Sequence, residues 1–277
     1  MTAVGIATGA GRGMGLACAR RLTDLVDILL LVDRDEPAVT AAAEELAAAD
    51  GEIEVEPFVL DITDPAGLSR LAARVEELGS LRAVSHAAGI SPTMADWRHI
   101  FEVDLGGTAR LAETLRPLAG EGTAMVCFAS MAPLLGNIEA DPAVAAILDE
   151  PLRDDFLDRL REALGPAVEN TGLAYAWAKH GVHRFVRREA VRLGPYGARV
   201  CSVSPGVIDT PQGRQEASAQ LAMRALVEQT PLGRVGRAED VAAAVAFLLS
   251  DEAAFVSGID VLVDGGVCAA VRERAGR

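Results

Sequence analysis

Aromatic residues are scarce in this 277-residue chain, at 4%, and tyrosine occurs only twice. The core must therefore be aliphatic. Half of the residues are hydrophobic, which suits a parallel sheet buried on both faces. Basic residues are also few: 26 against 40 acidic ones give a net charge of −14. Nucleic acid is excluded as a partner, since displacing counterions from phosphates needs a basic surface. Anionic membrane surfaces are excluded on the same ground. No apolar run approaches the ~18 residues of a spanning helix; the most apolar stretch, LVDILLLVD, is interrupted by Asp27 and ends at Asp33. Cys18, Cys127, Cys201 and Cys268 form no CxxC pair, and the four histidines form no HExxH. Reduced thiols packed as small apolar side chains are expected, and no metal. The opening TAVGIATG reads as a strand rather than a leader, so a soluble, cytoplasmic protein is expected.

Asn-Gly hairpin signals are missing as well. Seven strand candidates (TAVGIAT, VDILLLV, EIEVEPFVL, LRAVSHAA, TAMVCFAS, ARVCSVS and GIDVLV) alternate with helical patterns such as PAGLSRLAARVEEL and AEDVAAAVAFLLS. Strand–helix–strand repetition without hairpins predicts an α/β fold, a Rossmann-type doubly wound parallel sheet in one domain over residues 1–277. One segment breaks the rhythm, with 44 residues separating Ser130 from Tyr175. Residues 137–172 are predicted as a helical insertion. Asp141-Pro142 and Glu150-Pro151 each read as helix starts, and Leu152, Phe156, Leu157, Leu160 and Leu164 form an apolar stripe stopped by Gly165-Pro166. Nine acidic residues and three arginines give the insertion a solvated acidic face.

Ligands of such sheets bind beyond the carboxyl ends of the strands. After the first strand comes TGAGRGMG, whose glycines let the backbone approach a pyrophosphate at a helix N-terminus. Asp33 ends the second strand 24 residues after Gly9. A carboxylate there accepts ribose hydroxyls and repels a 2′-phosphate, which favours NAD; Arg12 and Arg34 pull toward NADP. Tyr175 and Lys179 lie one helical turn apart, a pair that alone would be unremarkable.

Taken together these motifs resemble the compact branch of the short-chain dehydrogenase/reductase family over nearly the whole chain. The family's TGxxxGxG matches Thr8 to Gly15, its acidic adenine contact Asp61 followed by Ile62, and its NNAG His86-Ala87-Ala88-Gly89. Its serine matches Ser130, its YxxxK Tyr175 and Lys179, and its PG Pro205-Gly206, with Thr210 four residues beyond. The insertion further resembles hydroxysteroid dehydrogenase/carbonyl reductase members. The resemblance implies an NAD-binding oxidoreductase that interconverts a secondary alcohol and a ketone. Ser130, Tyr175, Lys179 and Asp104 are its expected catalytic residues. Gly9, Arg12, Gly13, Met14, Gly15, Asp33, Arg34, Asp61, Ile62, Ala88, Gly89, Pro205, Gly206, Ile208 and Thr210 are its expected cofactor contacts, with Tyr175 and Lys179.

Three departures stand out. Ala87 replaces an asparagine expected to brace the central strands. Pro133 replaces a glycine and should stiffen the loop after Ser130. Asp104, in FEVDLGGT, replaces an asparagine that supports a water beside the lysine. As an isostere it could make the same helix-distorting contact, or its charge could weaken the acidification of Tyr175. A cation ~4 Å from the phenol, at an effective dielectric of ~20, would lower its ordinary pKa of about 10 by roughly three units. The phenol could then exchange the alcohol proton as hydride moves, with Ser130 orienting the substrate oxygen.

Residues 209–235 correspond to the family's mobile substrate lid, with Leu221, Ala222, Ala225 and Leu226 as possible ligand contacts. Met94, Trp97, Leu134 and Leu135 are expected apolar walls for a steroid- or terpenoid-like substrate. A homodimer or homotetramer is expected, since the family assembles through helices flanking the sheet, including the one bearing Tyr175. The tail CAAVRERAGR is expected to fray. A non-catalytic NAD-responsive binding protein, an NADP-preferring carbonyl reductase and a sugar-nucleotide epimerase are the rival readings; the last normally has a larger C-terminal domain.

Overall fold

Seven parallel strands in the order β3-β2-β1-β4-β5-β6-β9 form the sheet of this computed structural model, which describes residues 1–49, 53–136, 138–139, 141–219 and 221–275. The first half runs β1 (Ala3–Thr8), α1 (Gly13–Leu22), β2 (Ile28–Asp33), α2 (Glu36–Ala49), β3 (Glu54–Val59), α3 (Pro65–Leu78) and β4 (Ser80–His86). Then come α4 (Trp97–Phe101), a π-helical stretch (Glu102–Gly107), α5 (Thr108–Leu115) and β5 (Ala124–Phe128). The segment after β5 holds α6 (Ala132–Leu135), α7 (Pro142–Leu148) and α8 (Phe156–Leu164), and leads into α9 (Thr171–Leu193) and β6 (Arg199–Pro205). A short parallel pair, β7 (Ile208–Asp209) and β8 (Gly236–Arg237), brackets α10 (Pro211–Ala219) and α11 (Leu221–Gln229). The chain closes with α12 (Ala238–Leu249), β9 (Asp260–Val263) and α13 (Val267–Ala275). All seven predicted strands are present in the sheet.

Side-chain alternation along the strands divides the core in two. Val4, Ile6, Leu30, Val32, Met125 and Cys127 face a layer built from α3, α5 and α9. Ala7, Leu29, Leu31, Ala83, Val126 and Val203 face α1, α2 and α12. This two-sided burial explains why β1, β2 and β5 read as near-continuous apolar runs, whereas the edge strand β3 alternates with glutamates and has no buried residue.

The insertion folds back on its own chain. Asp141 caps α7 by accepting from Ala143 N and Val144 N, as its Asp-Pro sequence predicts. Glu150-Pro151 starts no helix: the Glu150 carboxylate reaches Arg159 at 3.3 Å instead of capping amides, and α8 begins only at Phe156. Phe156 meets Phe101 edge-to-face at 5.8 Å between centroids, and Asp149 holds Arg184 of α9 through two bonds of 3.0 and 2.9 Å. Most of α9 is thereby enclosed, with Trp177 and Phe185 both buried.

Candidate active site

The glycine loop sits where β1 gives way to α1. A side chain at Gly15 would run into the carbonyl oxygen of Gly9, so only glycine lets this turn close. Beside it lies a cavity of about 350 Å3, at the crevice where the strand order reverses. Gly9, Arg12, Gly13, Met14 and Gly15 form one wall; Asp33, Arg34, Asp61 and Ile62 form the next; Ala88, Gly89 and Thr210 complete it. Asp33 is fixed by Gly11 N–H at 3.0 Å and Asp35 N–H at 3.1 Å. Arg12 pairs with Asp35, a lining residue that the sequence reasoning did not single out. Burial works against the Asp61 carboxylate, yet bonds from Thr63 N and Thr63 Oγ1, helped by Arg34, hold its pKa below the usual range.

A second cavity, of about 470 Å3, shares Met14, Gly89 and Thr210 with the first and is lined by Ser130, Tyr175, Lys179, Pro205, Gly206 and Ile208. Ser130 follows β5, and its Oγ accepts the Ala132 N–H at 3.1 Å. Asn170 caps α9 by accepting from Leu173 N at 3.0 Å, which sets the phase that turns Tyr175 and Lys179 into the cavity. Lys179 is the only lysine among 26 basic residues. It is buried, donates to Phe128 O at 3.0 Å, and lies 5.6 Å from the centroid of the Tyr175 ring.

The Lys179 cation is not isolated. Asp104 Oδ1 lies 3.3 Å from Nζ and also accepts the Ile90 N–H at 3.0 Å. Asp104 is fully buried, and its Oδ2 has no partner among the described residues. Burial pushes its carboxyl pKa up, against the opposing pull of Lys179 and Ile90 N–H. The π-helical stretch supplies this placement by inserting Asp104 within the helical run from Trp97 to Leu115. Gly89 makes room: a Cβ there would come within 2.7 Å of Asp104 Oδ1.

The bracing expected to be lost at Ala87 is supplied by His86. Thr108 Oγ1 donates to Asp104 O at 2.7 Å, so it accepts from His86 Nε2–H at 3.0 Å. His86 Nδ1 then accepts from the Thr8 hydroxyl at 2.8 Å, which itself accepts the Ala88 N–H at 3.1 Å. This directed chain ties β1 and β4 to the helix holding Asp104. Burial, then the charge of Lys179, pushes the His86 pKa down to about 3, so the ring is neutral.

Several expected walls lie elsewhere. Leu135 and Leu226 line the second cavity and Met94 the first, whereas Trp97 packs into the core against Phe101. Leu134 packs on a small cluster around Met131 and Cys268 and does not line the cavity. Ala225 is exposed, and the side chains of Leu221 and Ala222 lie outside those described. Through Ala275 the tail forms α13, which packs on α6 and α11 instead of fraying; Gly276 and Arg277 lie outside the described residues. All four cysteines are buried, and burial pushes the Cys18 thiol up to about 12.

A family model described as "Enoyl-(Acyl carrier protein) reductase" matches residues 9–146 and 163–268, leaving out a stretch of the insertion. Cis-4-hydroxycyclohexanecarboxylate dehydrogenase of Sinomonas cyclohexanicum is 32% identical, with 96% of each chain covered. Cyclopentanol dehydrogenase of Comamonas sp. (strain NCIMB 9872) is 29% identical over 95% of this chain and 96% of that one. Among solved structures, levodione reductase is similar with a TM-score of 0.72 and 27% identity, covering 97% of this chain and 98% of that one.

Proposed function

Because the chain belongs to the short-chain dehydrogenase/reductase family, we propose that it is an NAD-dependent oxidoreductase interconverting a neutral, apolar secondary alcohol and its ketone. The observation that carries this reading is the convergence of Ser130, Tyr175 and Lys179 on one cavity that shares walls with the crevice beside the glycine loop. A nicotinamide dinucleotide fits that crevice. The glycine loop leaves backbone space for a pyrophosphate at the start of α1, Asp33 offers an acceptor for ribose hydroxyls, and Asp61 with Ile62 stands where an adenine contact is needed. Bound there, the nicotinamide would supply the hydride acceptor. Tyr175 would take the alcohol proton, Ser130 would donate to the substrate oxygen, and Lys179 would hold the nicotinamide ribose. Following nicotinamide absorbance for the native enzyme and Tyr175→Phe tests this: the variant should lose turnover by about 10²-fold or more. Unchanged turnover would end the reading.

NAD rather than NADP is supported by the charges around Asp33. Arg12, one of the two arginines that could hold a 2′-phosphate, is drawn to Asp35. Two carboxylates, Asp33 and Asp35, therefore face that end of the crevice.

The apolar substrate is supported by the walls of the second cavity. Ile90, Met131, Leu135, Ile138, Leu173 and Val207 contribute, and Lys179 is the only charged side chain among the described lining residues. Its charge is already met by Asp104. A ring alcohol bearing a carboxylate would find no second cation, so cyclopentanol or cyclohexanol should be preferred over 4-hydroxycyclohexanecarboxylate. We take residues 1–277 as one domain and 209–235 as its substrate lid, with β7 and β8 as the lid's base.

Of the two assemblies expected, homodimer and homotetramer, the homodimer is supported by the faces that remain open. The insertion encloses most of α9, where Val191 is the one large hydrophobic exposed among the described residues, whereas Phe247, Phe255, Ile259 and Leu262 are exposed around the edge strand β9. A second copy meeting this edge would cover both the apolar groups and the unpaired backbone.

A further inference from the structure

We propose that α13, the C-terminal helix, is the back plate of the substrate cavity and sets the size of alcohol admitted, a reading that rests on the alcohol–ketone assignment for its substrate arm only. Besides the two cores flanking the sheet, the fold holds a third apolar cluster, centred on Met131, Val267 and Cys268. Leu135, Val207 and Leu226 pack against this cluster from one side. These three and Met131 line the cavity on their other side, while no α13 residue among those described lines it. Val267, Cys268 and Val271 therefore stand one layer behind the wall.

That layer joins parts of the site that are far apart in sequence. Met131 and Leu135 belong to the segment after Ser130, and the first amide of α6, Ala132 N–H, donates to Ser130 Oγ. Leu226 belongs to α11 in the lid segment, and α13 packs on both α6 and α11. The helix has a firm base of its own. Asp264 accepts from Gly266 N–H and Cys268 N–H, each at 2.8 Å, and Leu232 N–H at the end of the lid segment donates to Gly265 O at 3.2 Å. Movement of α13 must shift the serine-side wall and the lid-side wall together, because interiors are close-packed and transmit strain. Val271 and Cys268 act through Met131 and Leu226, so they are positioning residues.

The test uses Val271→Ala and Val271→Asp in the full chain. Hydrogen exchange comes first, since it needs no turnover. With Val271→Asp, the amides of Leu134, Leu135 and Gly136 and those of Leu221–Gln229 should exchange about tenfold faster, with α12 and β5 unchanged. The second readout is the ratio of kcat/KM for cyclopentanol to that for a bicyclic alcohol. Trimming Val271 to alanine should shift this ratio toward the larger alcohol by about tenfold, through KM, with kcat for cyclopentanol unchanged. Faster exchange confined to α13, or a variant that slows both alcohols equally, overturns the proposal. If the native enzyme turns over neither alcohol, the alcohol reading fails while the exchange result still decides whether α13 backs the two walls.

Discussion

Replacing Asp104 by asparagine removes one negative charge and almost no volume. With Lys179 Nζ 5.6 Å from the centroid of the Tyr175 ring and 3.3 Å from Asp104 Oδ1, the carboxylate oxygen can be no more than about 9 Å from that centroid. At an effective dielectric of ~20, the lysine stabilises a charge at the ring by about 3 kcal/mol. The carboxylate opposes it by at least about 2 kcal/mol, roughly one pKa unit or more. His86, which is tied to the backbone of Asp104 through Thr108, is neutral and contributes no charge. An ionised Asp104 thus cancels much of what Lys179 provides, and the phenol keeps a higher pKa than a lone lysine would give it. In Asp104→Asn, the ascending limb of the pH profile for alcohol oxidation should move to lower pH by about one unit.

Steady-state kcat/KM across pH, for native and variant enzymes with one alcohol, measures the shift. Lys179, as the only lysine, allows a second check. Selective ¹⁵N-lysine labelling gives a single side-chain signal, whose chemical shift should change when its carboxylate partner is removed. Coincident pH profiles would refute the reasoning. They would mean that burial, which already pushes the Asp104 carboxyl up, keeps it protonated through the working range, so that it acts as an isostere of asparagine.

Other outcomes follow from the same geometry. Asp33→Ala should raise KM for NAD by about thirtyfold and improve the use of NADP, read by titrating both cofactors. His86 binds fewer protons folded than unfolded between its native value of about 3 and the ordinary 6.5. Its contribution to stability is therefore complete above 6.5 and is lost as pH falls below it. Urea unfolding should show a loss of about 2 kcal/mol from this group between pH 7 and 5, absent in His86→Asn. Phe255 is fully exposed, so Phe255→Asp should leave monomer stability within about 0.5 kcal/mol while light scattering shows the dimer weakened; an intact dimer would remove the β9 edge as the interface.

What could be read from the sequence was local. The inner strands β1, β2 and β5 carry near-continuous apolar runs because they are buried on two faces, and the motifs after the strands needed only the rule that ligands gather at carboxyl ends. What escaped depends on separations that no pattern encodes. His86 braces the sheet through Thr8, 78 residues earlier, and Thr108, 22 residues later. In the sequence it stands only as the first residue of the stretch matched to NNAG, with no partner legible nearby. Asp104 was noticed as a substitution, but its direct pairing with Lys179 depends on a π-helical stretch that FEVDLGGT does not announce. The Glu150-Pro151 helix start misled because glutamate has better partners in Arg153 and Arg159 than in its own backbone. One further signal lies in the composition. In a chain that otherwise uses arginine for every basic side chain, a solitary lysine one turn after a tyrosine marks a position where a compact ammonium, and not a planar guanidinium, is required. The geometry agrees: Lys179 Nζ lies against Gly89, 3.0 Å from Phe128 O and 3.3 Å from Asp104 Oδ1, contacts that a point-like ammonium makes at once. Lys179→Arg should accordingly lose activity almost as fully as Lys179→Ala, with both proteins folded by circular dichroism. Retention of turnover in the arginine variant would show that charge alone, without the compact shape, is what the site uses.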